Sequence, residues 1–409
     1  MTPVFCCGFE CGQLASGSTV GQHWLIGAGT PTISTSTVRN GARSLRCNPT
    51  ASTAYVTSPA LGSLNTVVTR VAVYFATLPN VDREVATYTS HTGAGLYFKA
   101  SDSKLYPGYN SGTITFGSTG VTVTTGQWYY IDIKINASTN PWTIDVSVNG
   151  ATTTQLIRSV AGQTTSDNLL LGFIGGSTTA DVFYDDVVIS LTGVDYPIGD
   201  GYVNHFVPTA DGTHNIAGAA DFGRTLTGTD ILNATTTAYQ LVDDVPLESG
   251  ASVDWINLIA PPNVTDYVEC IFGAASGIST PTVAPRAVEV IAGIHQAGTG
   301  TGNMAIRLND NGTTDDVYTA TTVAGTTTVI YKRKHYAAGP AGAWTVAAGA
   351  GNFNNIRMRF GSPAAVDANP DQYLDCIMIE AEFAAVVLTP SIPNKIYSYQ
   401  QAVRRASYW

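Results

Sequence analysis

The sequence predicts an all-β protein made of two tandem antiparallel jelly-roll or β-sandwich domains with an extended C-terminal arm. Apolar and polar residues alternate along many segments, which is the pattern of strands that bury one face. Clusters of Gly, Thr and Ser separate these segments at about the 8- to 12-residue spacing that is typical of sandwiches. None of the longer segments carries the apolar spacing of an amphipathic helix, so helix is expected only in short turns.

Length and composition limit the class of protein. The 409 residues suffice for two or three domains, and 44% of them are hydrophobic, so each domain can form a core. Only 12% are charged, and the formal net charge is −10. This acidic, weakly charged composition argues against nucleic acid binding, which requires a basic face. No apolar run is long enough to span a bilayer, and no basic and apolar leader begins the chain, so we expect neither membrane insertion nor a secretory signal.

Alternation marks individual strands in the first half of the chain. It places Val67, Val71 and Phe75 on one face of a strand. The segment "WTIDVSVNG" alternates in the same way and ends in Asn149 and Gly150, a pair that favours the tight turn of a β-hairpin.

The domain boundaries are predicted where this pattern breaks. After Gly193 the sequence carries Pro and Gly signals and few alternating pairs, which indicates a linker and the start of a second unit. We predict a first domain over residues 1–193, a second over residues 194–389 and an extended arm over residues 390–409. Both halves end on an alternating acidic segment followed by a proline, which suggests a tandem duplication.

The six cysteines show no metal or redox spacing. No Cys-x-x-Cys pair occurs, and although Cys7 and Cys11 could supply half of a zinc site, no nearby pair of ligands completes it. We therefore expect free, partly buried thiols in a protein that folds in a reducing cytosol, and no metal or other cofactor.

Five motifs of the first half form a set that can be compared with known folds. They are "GFECG", "NGARSLRC", "GQWYYIDIKI", "WTIDVSVNG" and "TADVFYDDVVIS". This set resembles concanavalin A-like jelly rolls of the laminin-G and pentraxin type, in which a G-x-W-Y strand leads to a V-N-G hairpin and a last strand reads Y-x-D-D-V-x-V. The resemblance implies a jelly-roll fold for residues 1–193.

A second group of motifs lies further along the chain. It consists of "YPIGDGYVNHFVPTADG", "YQLVDDVPLESGASVDWI", "TDYV", "NFNNIRMRFG" and "YLDCIMIEAEF". This group is similar to a segment of tailed-phage virion proteins. The resemblance implies a structural component of a bacteriophage particle (a minor head or capsid decoration, neck or tail-fibre protein). Such a protein is made in the host bacterial cytoplasm and assembles in the virion with copies of itself and with capsid, neck or tail proteins.

Asp185 and Asp186 are adjacent in a predicted strand. Neighbouring strand side chains point to opposite faces, so these two carboxylates are not expected to act together on one bond. One of them could join a calcium site, as in some laminin-G domains, but the further oxygen ligands are not apparent. The favoured interpretation is structural: one Asp accepts backbone hydrogen bonds from a neighbouring loop and fixes the end of the strand.

Other candidate catalytic groups form incomplete sets. Glu380 and Glu382 share a strand face, but the E-x-D-x-x-E pattern of jelly-roll glucanases is absent, and a solvated or partner-facing strand is expected there. Tyr97, Lys99 and Tyr106 resemble part of an alginate lyase site, whose R-x-E and Q-I-H strands are missing here. We therefore predict no catalytic residues and no enzyme activity.

Two segments are candidates for docking on a partner protein. The strand "YKRKHY" is the densest basic patch of the acidic chain; it could protect a sheet edge from pairing or bind an acidic neighbour. The arm ends in "YSYQQAVRRASYW", and aromatic and Arg residues without a core of their own are typical of an interface. The residues predicted to dock are Lys332, Arg333 and Lys334 in the strand and Arg404, Arg405, Tyr408 and Trp409 in the arm.

Three functions are compatible with these features. The leading hypothesis is a non-enzymatic virion protein that acts by protein–protein assembly as a homo-oligomer. The alternative is a glycan-binding module that attaches the particle to the host surface, which predicts a shallow, aromatic-lined groove with convergent polar groups on one sheet or loop rim. A polysaccharide depolymerase is the least favoured, because it requires catalytic groups that converge in one cleft.

Overall fold

A computed structural model describes most of the chain. The described residues are 3–15, 24–62, 65–89, 93–152, 156–158, 168–215, 222–224, 230–231, 238–242, 256–258, 267–274, 279–296, 303–310, 315–321, 329–361 and 372–385. Regular structure in these ranges consists of β-strands and three short 3-10 helices (Gly193–Asp195, Ala238–Leu241 and Phe353–Asn355), which confirms the all-β prediction. A search of the same ranges finds no helix that is long and apolar enough to cross a membrane. The arm over residues 390–409 lies outside them.

The first half of the chain forms two antiparallel sheets. Their strands are β1 (Pro3–Cys7), β2 (Leu25–Ala28), β3 (Thr32–Ser34), β4 (Ser44–Cys47), β5 (Thr50–Thr57), β6 (Thr66–Thr77), β7 (Arg83–Tyr88), β8 (Ala94–Lys99), β9 (Lys104–Asn110), β10 (Ile114–Phe116), β11 (Val121–Thr122), β12 (Trp128–Asn136), β13 (Trp142–Val148), β14 (Ala151–Thr152), β15 (Leu156–Arg158), β16 (Leu169–Thr179) and β17 (Asp181–Ser190). The first sheet has the order β14-β13-β12-β6-β17-β4-β3, with β1 added on β17 and β15 on β13. The second has the order β10-β9-β8-β7-β16-β5-β2, with β11 added on β9.

These two sheets enclose one hydrophobic core and form the first sandwich. Val71 and Phe75 reach the core from β6 in the first sheet, and Leu171 and Phe173 reach it from β16 in the second. The inward face predicted for residues 67–75 is therefore confirmed. The predicted hairpin is also present: Asn149 and Gly150 join β13 to β14, and both have positive φ (49° and 79°), the backbone conformation that an Asn-Gly turn requires.

The second half of the chain forms a third antiparallel sheet. Its strands are β18 (Gly201–Asp211), β19 (Phe222–Arg224), β20 (Asp230–Ile231), β21 (Ile256–Leu258), β22 (Tyr267–Ala274), β23 (Ala287–Gln296), β24 (Asn303–Asn309), β25 (Asp315–Thr321), β26 (Ile330–Tyr336), β27 (Arg357–Gly361) and β28 (Gln372–Ala384). The order is β20-β19-β21-β28-β18-β22-β27-β24-β25, and β23 connects β28 to β26. Val290 of β23 and Tyr336 of β26 share a second core with Phe206, Phe360 and Phe383 from the main strand series, so this half forms a second sandwich.

The two sandwiches are in direct contact. Val68 of β6 and Val188 of β17 lie on the outer face of the first sheet, where they pack in one cluster with Ile198, Val203 and Ala287. The outer face of the first sheet is therefore divided between a part that the second sandwich covers and a part that it does not.

The cysteines are consistent with the thiol prediction. All six lie in the described ranges, are buried and form no disulfide there. Burial raises the pKa of these thiols where a shift is resolved, to about 12 for Cys11. A buried, neutral thiol is a poor nucleophile, so these cysteines act as small core residues.

Candidate functional site

Asp185 and Asp186 hold a loop and the second sandwich in place. Both are fully buried. Asp185 accepts a hydrogen bond from the backbone N–H of Arg39 (3.0 Å), as the structural interpretation predicted. Asp186 accepts from the Asn40 amide (3.0 Å) and from the backbone N–H of Val203 in β18 (2.6 Å). The doublet thus joins the loop between β3 and β4 to the first strand of the second sandwich.

The expectation that the two carboxylates point to opposite faces is wrong. The register of β17 against β6 shifts between Asp185 and Val188, and Asp186 has a positive φ of 51°. This bulge interrupts the alternation, so both carboxylates reach residues 39 and 40. Their proximity and burial raise the pKa of Asp185 well above its ordinary value, with burial as the larger cause and the Asp186 charge as the next. The described residues contain no group of three or more His, Cys, Asp or Glu side chains that could hold a metal ion.

A buried ion-pair network connects the two sandwiches. Arg70 of β6 donates to Glu382 of β28 (2.6 Å), and both side chains are fully buried. Glu382 also accepts from Arg286 Nε (2.8 Å). The backbone N–H of Glu10 donates to Glu380 (3.0 Å), whose other oxygen lies 3.5 Å from Arg333. A buried charge without its partner is strongly destabilising, so this network favours the one arrangement of the sandwiches in which the charges are paired.

The network corrects the expectation for Glu380 and Glu382. Neither side chain is solvated, because the strand that carries them lies against the first sandwich. Their partners come from residues that are distant in the sequence, and the surface they face belongs to the same chain. Burial raises the pKa of Glu380, and the neighbouring Arg333 charge opposes that shift.

Asp132 fixes the segment that connects the two sandwiches. Its carboxylate, on the outer face of β12, accepts hydrogen bonds from the backbone N–H groups of Ile198 (3.0 Å) and Gly199 (3.3 Å). Burial raises the pKa of Asp132 to about 6, although the Arg70 charge and both backbone hydrogen bonds favour the ionised form.

A polar pocket, defined by its eight lining residues, lies where the sandwiches meet. Its volume is about 380 Å³, and its lining residues are Asn40, Gly41, Tyr202, Asn204, Ser279, Thr280, Pro281 and Thr282. The first two come from the β3–β4 loop and the others from the second sandwich. None of the eight is an Asp, Glu, Lys, Arg or His, so the pocket offers hydroxyl and amide groups and one aromatic ring.

The loop that contributes Asn40 is held rigidly. The Glu10 carboxylate accepts hydrogen bonds from the backbone N–H groups of Ala42 (3.0 Å) and Arg43 (3.2 Å). Gly41 has φ +70°, and a Cβ at this position would lie 1.9 Å from Glu10 Oε1. Only glycine fits there, because a side chain at position 41 would overlap the Glu10 carboxylate beneath the loop.

An aromatic row crosses the open part of the first sheet's outer face. We define it by Trp128 of β12, Tyr74 of β6 and Phe183 of β17, which are directly paired in the strand register. The Tyr74 ring centroid lies 5.5 Å from that of Trp128 and 5.9 Å from that of Phe183, within the usual range for aromatic pairs. Arg46 of β4, the next strand, lies over the Phe183 ring at 5.4 Å.

Polar side chains flank the aromatic row on the same face. Asn48, which follows β4, is exposed, and Asp181 forms a bidentate pair with Arg46 (2.8 Å for both bonds). The row was not predicted from the sequence. Alternation could have placed each aromatic residue outward, but the pairing of strands far apart in the sequence has no local signal.

Two of the predicted docking residues have partners within the chain. Arg333 is 5% exposed; its guanidinium donates to the Cys6 carbonyl (3.4 Å) and lies over the Phe5 ring, so it contacts the first sandwich. Lys334 lies 3.5 Å from Asp316. Burial lowers the pKa of Lys332.

Within the described residues β26 pairs only with β23, so it lies at an edge of the sheet, which is the position that the edge-protection interpretation requires. Arg404, Arg405, Tyr408 and Trp409 lie outside the described residues.

The residues that resemble part of a lyase site lie together on β8 and β9, where Tyr97 pairs with Tyr106 in the strand register, but they make internal contacts. The Tyr97 hydroxyl donates to the Gly93 carbonyl in the first sandwich, and the ring is fully buried. Lys99 lies over the Tyr106 ring at 5.6 Å. His295 belongs to β23 of the second sandwich, where it pairs with Asp375 at 2.7 Å.

Comparisons with known proteins find distant structural similarity. No protein-family model matches the chain, and no curated protein matches it. Solved structures that are similar include a carbohydrate-binding tandem, CBM22-1-CBM22-2 of Paenibacillus barcinonensis Xyn10C (12% identity, TM-score 0.24, 93% of this chain and 97% of that one). A sialidase aligns at 11% identity and TM-score 0.32, over 42% of this chain. A SAP-like pentraxin of Limulus polyphemus aligns at 14% identity and TM-score 0.28, over 35% of this chain and 74% of that one.

The chain aligns with only 17% of the length of the sialidase. At these TM-scores the similarities do not indicate a function for this chain.

Removing one charge from the buried network should destabilise the whole protein. In Glu382→Gln, Arg70 is left buried without a full counter-charge, and we expect the free energy of unfolding to fall by about 3–5 kcal/mol. The matched control is Asp181→Asn, which breaks a partly exposed ion pair with Arg46 and should cost less than about 1 kcal/mol. Urea unfolding measures both, and equal losses in the two variants would contradict the assigned role of the network.

Asp132 should make stability depend on pH in the acidic range. Its pKa is about 6 in the folded protein and 3.8 in its ordinary environment, so the folded state binds the proton more tightly. The resulting stabilisation is complete below about pH 4 and is lost as the pH rises through about 6. Asp132→Asn removes this dependence, so the difference in unfolding free energy between variant and wild type should change steadily as the pH falls from 7 to 4. A carboxyl resonance of Asp132 that titrates near pH 4 would contradict the prediction.

Proposed function

We propose that the protein binds glycans and that the aromatic row is the contact surface. The observation that carries this proposal is the direct cross-strand pairing of Trp128, Tyr74 and Phe183 on an open sheet face. Trp128 and Tyr74 are half-buried and keep part of their rings accessible. Sugar rings present C–H groups that pack on aromatic rings, and hydroxyl groups that require hydrogen-bonding partners. Asn48 and the Arg46–Asp181 pair supply such partners beside the row.

The aromatic row is not explained by the fold of the first sandwich. Val73 and Phe75, which flank Tyr74 in β6, enter the core on the other side of the sheet. The stability of the sandwich therefore does not require large aromatic side chains at the outward positions. Trp128 and Tyr74 are partly accessible, Phe183 beside them is buried, and polar groups surround them; this arrangement supports an interaction site.

The side chains of the aromatic row are suited to bind a glycan but not to hydrolyse it. Glycosidases require two carboxyl groups on either side of the scissile bond. Asp181 is the one acidic residue among those that define or flank the row, and both of its oxygens accept hydrogen bonds from Arg46. We propose a lectin-like module without catalytic activity.

Loss of the exposed rings should weaken glycan binding. Trp128→Ala and Tyr74→Ala each remove stacking area that no neighbour replaces, and we expect about a tenfold or greater loss of affinity, which corresponds to about 1.4 kcal/mol. A glycan array of bacterial surface polysaccharides identifies the ligand, and calorimetry on the best one measures the affinities. The control is Tyr109→Ala, a half-buried aromatic residue on β9 of the second sheet. Failure of the wild type to bind any glycan at millimolar concentration would refute the proposal.

An assembly role in a virion is a second proposal, and the two are compatible. It is supported by the phage-type motifs of residues 194–389 and by the buried network, which makes the two sandwiches one rigid block. In this proposal the protein is a structural part of a bacteriophage particle, bound to other virion proteins and to copies of itself. A glycan-binding face would then attach the particle to the host surface.

Removal of residues 390–409 should lower the oligomeric state. The arm carries Arg404, Arg405, Tyr408 and Trp409, which we propose as docking residues on a neighbouring subunit. Light scattering on the purified full-length and truncated proteins compares their masses at one concentration. An unchanged mass would count against the arm as an assembly element and would leave the glycan proposal intact.

A further inference from the structure

We infer that the polar pocket is a second binding site, specific for a short, uncharged saccharide or the uncharged end unit of a glycan chain. The inference takes its ligand class from the proposed glycan-binding function, but its geometry is independent of the aromatic row. The pocket lies where the β3–β4 loop meets the second sandwich, whereas the aromatic row lies entirely on strands of the first sheet.

The charged groups that surround the pocket neutralise one another. Arg39 precedes the pocket residue Asn40 and donates to both Asp186 and Asp200. Arg286, which follows the 279–282 segment, donates to Glu382. The lining residues that the structure describes include no charged side chain. A charged ligand would lose its hydration without gaining a counter-ion, so an uncharged ligand is preferred.

The pocket walls are fixed before any ligand arrives. The Asn40 amide nitrogen donates to Asp186, which leaves the amide oxygen of Asn40 as the acceptor for a ligand. Tyr202 is stacked on Phe383 with ring centroids 5.4 Å apart. The Asn354 side chain donates to the Pro281 carbonyl (3.1 Å), which holds the segment between Thr280 and Thr282. Groups that are already ordered lose little entropy on binding.

The lining chemistry matches the hydroxyl pattern of a sugar. Ser279, Thr280 and Thr282 are exposed hydroxyl side chains, and each can both donate and accept. Asn204 adds a further amide, and the Tyr202 ring offers an apolar face. An apolar ligand would leave these polar groups without partners, whereas neighbouring sugar hydroxyls can satisfy several of them at once. The volume of about 380 Å³ falls in the range of small-molecule sites.

The test compares pocket and row variants on short saccharides. The probes are neutral mono- and disaccharides (glucose, galactose, N-acetylglucosamine, lactose and cellobiose), with sialic acid and glucuronic acid as charged comparators. Saturation-transfer NMR detects contact and calorimetry measures affinity. The double variant Asn204→Ala/Thr280→Ala should lose at least about tenfold in affinity for the bound neutral sugar. Thr113→Ala, an exposed threonine in a turn of the first sandwich, is the matched control and should bind as wild type does.

The outcomes distinguish binding in the polar pocket from binding on the aromatic row. Loss of short-saccharide binding in the pocket variant, with normal binding in Trp128→Ala, supports the inference. Unchanged binding in the pocket variant, preference for the charged sugars, or no neutral sugar bound by the wild type would overturn it. Binding of long glycans by the aromatic row is measured separately with Trp128→Ala, so the glycan-binding proposal can stand or fail on its own. Circular dichroism and urea unfolding confirm that each variant is folded.

Discussion

The buried contact between Arg70 and Glu382 is the interaction on which the arrangement of the two sandwiches depends. Both side chains are fully buried, and they come from opposite sides of the domain boundary. Because a desolvated charge without its partner is so unfavourable, the two sandwiches can separate only if water replaces every such contact at once. Apolar packing of Val68 and Val188 against the second sandwich accompanies the ion pairs and excludes that water. The contact between the two domains is therefore stable in this one orientation.

The same buried acids shape the surface above them. Glu10 and the Asp185–Asp186 doublet bind backbone and side-chain N–H groups of the loop between β3 and β4. That loop presents Asn40 to the polar pocket, and the second sandwich presents the rest of the lining. A pocket built from two domains requires that neither domain moves relative to the other. The ion network supplies that rigidity from below, so in the proposed site the acidic residues act by positioning the lining residues.

Local pattern was sufficient to predict the strands but not the contacts between them. The alternation of residues 67–75 and the Asn149-Gly150 turn depend on neighbours in sequence, and both were predicted correctly. The bulge at Asp186 was not, because neither the register shift nor the contacts of Asp186 with Asn40 and Val203 have a local signal in the sequence. The expected solvation of Glu382 was wrong for a similar reason: its counter-charge Arg70 is 312 residues away, so no local signal distinguishes a surface carboxylate from a buried one. The aromatic row depends on strand register, which alternation alone leaves open.

The outward positions of β6 support the proposal that the aromatic row is a contact surface. They read Val68, Arg70, Ala72, Tyr74 and Ala76 in order along the strand. The second sandwich covers the first part of this series, and there the side chains are small, apolar or paired with its acids. Beyond Ala72 that cover ends, yet the next outward side chain is aromatic, and aromatic side chains lie directly beside it in both neighbouring strands. An uncovered strand needs only small or polar residues to remain soluble. Large rings placed in register across three strands, on the open part of an otherwise covered face, therefore support the proposal that a ligand covers this surface in turn.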